Sequence, residues 1–169
     1  MPITATLLPE FDQEMATTRR VLERLPEDKF TWKPHVKSWD MRTLATHLAN
    51  IPGWGKETIQ LSELDIAPAG KPPEPPPPAA SRKDLLELFD KNVTAGRAAL
   101  AGATDEHLLQ PWSLLAGGQT ILTLPRTAVV RKFILSHLIH HRAQLAVYLR
   151  LNDVPVPSIY GPSADESIM

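Results

Sequence analysis

The chain is 169 residues long, enough for one domain that buries roughly 70% of its unfolded surface. An apolar fraction of 43% against 22% charge is that of an ordinary globular protein, and a net charge of −1 with no basic block leaves no footprint for nucleic acid. Cysteine is absent, which excludes disulfides, thiolate metal ligands and a cysteine nucleophile.

The N-terminal stretch, Met1-Pro-Ile-Thr-Ala-Thr-Leu-Leu8, lacks the basic start and apolar core of a signal peptide. No run approaches 18 apolar residues, so no membrane partner is expected and the expected location is cytoplasmic. Leu8, Phe11, Met15, Val21 or Leu22, and Leu25 recur near helical spacing and predict a first helix from Leu7 to Leu25. Pro9 falls in its first turn and Pro26 closes it. A connector from Glu27 to Lys37 carries Phe30 and Trp32, which plug one end of the core. With Asp40 as N-cap, a second helix is predicted from Met41 to Leu64 on the stripe Leu44, Leu48, Ile51 and Ile59, kinked at Pro52.

Residues 68–78, Pro-Ala-Gly-Lys-Pro-Pro-Glu-Pro-Pro-Pro-Pro, favour extended polyproline II. Such a segment serves either as a ligand for an aromatic groove or as a stiff crossover strap between bundle helices. Ser81 and Asp84 open a third helix, Arg82 to Leu100, which Gly102 stops. Within Thr104 to Leu124, two apolar runs flanking Gly117-Gly118 suggest a short irregular hairpin. A fourth helix follows Pro125, from Thr127 to Leu151, and residues 152–169 read as a coil tail that frays at its end. The expected architecture is therefore all-α, a four-helix bundle forming a single domain over 1–169 with a long Pro-rich crossover.

Six histidines are present, and helical phase separates them. His137 and His141 are one turn apart, with Cβ atoms about 5–6 Å apart, on the stripe marked by Val130, Ile134, Leu138 and Leu145. His47 lies on the buried stripe of the second helix. Three neutral imidazoles from two facing helices would make the His₃ set of some catalytic zinc centres, with a fourth position left for water or substrate. The alternative is that each is a hydrogen-bonded core residue. His140 leans off the stripe and suits a surface or supporting role, while His35 and His107 face solvent. Gln144 is placed to bond a ligand histidine from outside the coordination sphere, or else a neighbouring helix. Arg142 points away from the pair and suits a surface ion pair. Asn50 and Trp54, one and two turns past His47, line a cavity or belong to the core. Gln144, Asn50 and Tyr148 are the candidates to orient a nucleophile or substrate. No phosphate loop, nucleophile elbow or buried acid pair is present.

Four segments together resemble the DinB-like metalloprotein family: Trp32-Lys-Pro-His-Val-Lys-Ser-Trp39, Leu44-Ala-Thr-His-Leu-Ala-Asn50, His137-Leu-Ile-His-His-Arg-Ala-Gln144 and Val154-Pro-Val-Pro-Ser-Ile-Tyr-Gly161. The resemblance covers nearly the whole chain, and its specific element is His-x-x-x-His-Arg-x-Gln. It implies an up-up-down-down four-helix bundle, often a homodimer. It also implies a divalent metal, commonly zinc or nickel, on ligands that map to His47, His137 and His141. Characterised relatives include transferases that use a low-molecular-weight thiol, with related isomerases and hydrolases. The expected function is thus metal-dependent activation of a thiol or water for transfer to, or hydrolysis of, a small electrophilic substrate. The alternative is a non-catalytic metal-binding bundle acting in stress-related interactions. The Pro-rich insertion at 68–78 departs from the family pattern.

Overall fold

The computed structural model describes residues 1–71 and 77–167. Helix α1 (Thr4–Leu22) starts three residues before the expected Leu7, tied down where Asp105 Oδ1 accepts from the Ile3 N–H (2.8 Å). Pro9 therefore sits in the second turn, where it removes one helical bond without ending the helix. Leu7, Phe11, Met15, Val21 and Leu22 are buried on one face. Helix α2 (Met41–Asn50) begins where Asp40 accepts from the Thr43 N–H (2.7 Å).

The expected single helix from Met41 to Leu64 is divided. A 3₁₀ turn, Ile51–Gly53, separates α2 from α3 (Trp54–Gln60). Pro52 has no N–H to offer the Leu48 carbonyl. Asn92 Nδ2, from helix α4 (Arg82–Ala101), donates to the neighbouring Ala49 carbonyl at 2.9 Å. Gly96 of α4 lies directly opposite, where a Cβ would stand 2.2 Å from the Pro52 carbonyl oxygen. Only glycine permits that approach. After Gln60 the chain becomes extended and forms β1 (Glu63–Asp65).

A short α5 (Asp105–Leu109) precedes an antiparallel hairpin, β2 (Pro111–Ala116) and β3 (Gln119–Pro125), with β1 added in parallel to β2. Gly117 and Gly118 turn the hairpin at φ of 60° and 77°. Asp65 accepts from the N–H groups of Gly117 and Gly118 (3.0 and 2.7 Å) and of Ala67 (2.8 Å), which hold its carboxyl below the usual range. The all-α expectation is corrected: the protein is mostly helical with a small three-stranded sheet. His107 is corrected as well. It is half-buried, and its Nε2 donates to the Ile59 carbonyl (2.8 Å) instead of facing solvent.

The last helical run starts at α6 (Arg126–Val129), passes through a π-helical stretch, Val130–Ser136, and continues as α7 (His137–Leu151). Val130, Ile134, Leu138, Leu145 and Leu149 enter the core, where α1 and α2 pack against both α4 and α7. Arg142 is not a surface residue. Its side chain is 1% exposed and pairs with Glu14 (2.7 Å), with Thr18 Oγ1 (3.2 Å) and the Tyr160 hydroxyl (2.6 Å) completing its bonds. The tail is coil as expected, but it is held through Glu166 to Arg20 and Arg24 and through Asp165 to Arg150. Of the Pro-rich segment 68–78, residues 72–76 lie outside the described residues. Pro68–Gly70 form a 3₁₀ turn, and just past its end the Ala79 N–H donates to Thr46 Oγ1 (3.0 Å). Among the described residues, no helix is long and apolar enough to cross a membrane.

Candidate metal centre

Helices α2 and α7 face each other, and the histidines of their shared stripe converge. His47 Nε2 is 3.3 Å from His137 Nε2, and His137 Nε2 is 2.8 Å from His141 Nε2. One ring nitrogen from each residue lies within 4.8 Å of the other two, so the three could hold a metal ion. Two imidazole nitrogens sharing a tetrahedral zinc at about 2.0–2.1 Å would stand about 3.3 Å apart. The His47–His137 spacing meets that value, and the His137–His141 spacing is half an ångström tighter.

Tautomers sharpen the fit. Gln144 Nε2 is a donor only, so its 3.1 Å contact makes His140 Nε2 the acceptor and turns Gln144 Oε1 towards His141. His141 Nδ1 must then donate to Oε1 (2.7 Å), which leaves its Nε2 with a bare lone pair aimed at His137. The Phe133 carbonyl, one turn back, raises the proton affinity of His137, yet its buried Nδ1 makes no hydrogen bond of standard geometry. With a proton on that Nδ1, two lone pairs face each other at 2.8 Å, an arrangement that a shared cation relieves.

Burial is the first cause of lowered pKa at all three histidines. His47 falls to about 4, with the charges of His141 and His137 adding to the effect. His137 is lowered further by His141, and His141 by His140, against the opposing Gln144 bond. All three are neutral near pH 7, the form that ligates.

The DinB family profile matches residues 1–168. The chain belongs to the DinB family. It is 26% identical over 162 residues to the uncharacterized protein YrdA of Bacillus subtilis strain 168, covering 94% of this chain and 89% of that one. Two solved structures share its fold. A DinB-like protein from Bacillus cereus superposes with a TM-score of 0.71 at 20% identity, covering 94% of this chain and 98% of the other. A second, YjoA from B. subtilis, gives 0.66 at 18% identity, covering 97% and 99%.

Within this DinB chain the other predicted residues take distinct places. Asn50 donates from Nδ2 to the Thr46 carbonyl (2.9 Å) and accepts at Oδ1 from Asn92 (3.4 Å), while still lining a cavity of about 310 Å³ with His47, Trp39, Trp54 and Pro78. Tyr148 is buried, and its hydroxyl donates to the Trp39 carbonyl (3.2 Å). His35 is exposed, as expected, and His140 reaches Gln144 and sets its ring edge against His141 (4.9 Å) without joining the three convergent nitrogens. Trp54 does line the site, with its ring 5.6 Å from His47 and 5.4 Å from His137. One residue was missed. Trp39 is 48% exposed, stacks on His141 at 5.9 Å and sets its edge against His47 at 5.1 Å. Its sequence signals were a large aromatic directly before the Asp40 cap and its place at the end of a segment resembling the family, neither of which assigned it to the site.

Proposed function

We propose that this chain is a divalent-metal-dependent enzyme that uses a low-molecular-weight thiol or water against a small electrophilic substrate. His47, His137 and His141 are the ligands, and zinc or nickel suits an all-imidazole set. The observation that carries this reading is the convergence of three neutral imidazole nitrogens, with the His141 lone pair turned inward by Gln144. When bound, the ion supplies Lewis acidity that makes a thiolate or hydroxide available near neutral pH.

The chain's own residues do the rest. Gln144 holds the His141 tautomer and ring plane. Tyr148 anchors the Trp39 backbone, so that the Trp39 ring covers His47 and His141 on one side. Trp54 covers His47 and His137 on another. These rings wall two sides of the site and leave the cavity beside His47 as the approach for a substrate. In the same reading the helices run up-up-down-down within one domain over 1–169, and the chain works as a homodimer.

Titrating a small thiol, then azide, into the cobalt-substituted protein tests this function. The visible spectrum should change saturably, because three histidines leave a coordination position open. An unchanged spectrum at stoichiometric cobalt would overturn the enzyme and make the metal structural.

A further inference from the structure

A second cavity, about 210 Å³, shares Trp54 as a wall with the one that His47 lines. Its walls are Trp54, Leu64, Trp112, Leu114, Val129 and Phe133, and His137 stands at its edge. The sheet builds half of this enclosure: Leu64 comes from β1, and Trp112 and Leu114 from β2. Trp112 and Val129 are buried, yet neither joins the main hydrophobic core. They line a separate apolar chamber that ends at a candidate metal ligand.

The chamber is held open by a rigid frame. Buried Arg126 donates to three carbonyls, Thr58 (3.0 Å), Pro111 (2.9 Å) and Leu61 (2.9 Å), joining the end of α3 to the start of β2. A cationic clip of that kind fixes the walls before any ligand arrives. The indole N–H of Trp112 is itself buried and has no hydrogen-bond partner. Glu57 also lines the chamber; it is half-buried, and burial holds its carboxyl above the usual range.

We propose that this chamber receives the apolar group of the substrate, a single uncharged aromatic ring, and so presents the atom attached to that ring at the His137 edge of the metal site. An apolar cavity of about 150 Å³ already admits benzene. This one is larger, and Trp54, Trp112 and Phe133 give it three aromatic walls. The inference rests on the proposed metal reading and names the substrate class of that same site: a small aryl-bearing electrophile.

Fluorine NMR of 4-fluorobenzyl alcohol with the full chain, loaded in turn with zinc and cobalt, tests it. The probe should bind saturably to both forms, with its signal broadened strongly only by cobalt. Leu114→Trp and, independently, Leu64→Phe should fill the chamber and weaken binding at least tenfold, with metal stoichiometry unchanged. Absence of saturable binding, binding indifferent to both substitutions in folded protein, or binding without cobalt broadening would each overturn the proposal. Failure of the metal reading looks different: the chain would take up no metal, whatever the probe does.

Discussion

Arg142→Met tests how the fold aims the triad. Arg142 follows His141 on α7, and its guanidinium crosses to α1, where it meets Glu14 at 2.7 Å with side chains 1% and 9% exposed. The Tyr160 hydroxyl donates to Glu14 Oε2 (2.9 Å) and its ring lies 5.2 Å from the guanidinium, so helix, helix and tail are joined at one point. Removing one member of a buried pair strands the other charge and costs about 3–5 kcal/mol. In a chain of this length each kcal/mol moves the midpoint by about 2–4 °C, so a fall of about 6–20 °C is expected. Replacing both charges, as Arg142→Met with Glu14→Leu, should restore most of the loss. Thr18 and Tyr160 would still lack a partner, so recovery should be incomplete. The assays are thermal and urea unfolding of the metal-free chain, where ligand linkage cannot mask the difference. A single variant within about 0.5 kcal/mol of wild type, the range of surface substitutions, would refute the buried-pair argument. So would a double variant no better than the single.

Gly96→Ala should destabilise the chain by about 1–3 kcal/mol or more, because a Cβ 2.2 Å from the Pro52 oxygen forces α4 away from the 3₁₀ turn. Urea midpoints measure it, and an unchanged midpoint would contradict that contact. Gln144→Leu should weaken zinc binding by about 10–100-fold in a chelator competition while helicity is kept, because His141 loses the acceptor that fixes its tautomer. Equal affinities would count against the assigned orientation. The metal-free chain should also lose stability as pH falls from 6.5 towards 4. His47 titrates at about 4 when folded and near 6.5 when unfolded, so only the unfolded chain takes up that proton in this window. His47→Gln should flatten the slope, and a variant as steep as wild type would remove His47 as its source.

The convergence of the three histidines was legible in two ways, by local geometry for His137 and His141 and by helix face and family resemblance for His47, ninety positions upstream. His137 and His141 are one helical turn apart, and His47 sits on an unmistakable apolar stripe. The angular argument that set His140 aside agrees with its contact to Gln144. Long-range contacts escaped notice. Leu61 to Asp65 continue the helical pattern of the second helix, and only pairing with β2, fifty residues later, makes them a strand. The hairpin itself was signalled by Gly117-Gly118, but the strand joining its edge was not. Arg142 read as a surface residue because its partner Glu14 lies 128 positions upstream in sequence, on a different helix. His107 misled for the same reason, since its acceptor is a backbone carbonyl on α3. The aromatic chamber beside His137 is assembled from three separated stretches and carries no periodic signal at all.

Elemental analysis of the full chain, purified without chelators, tests the metal centre most directly. One divalent ion per chain is expected in the wild type, and almost none in His47→Ala, His137→Ala or His141→Ala that keep their helical signal. A wild type without metal when zinc and nickel are supplied, or full occupancy in any folded histidine variant, would contradict the centre described here.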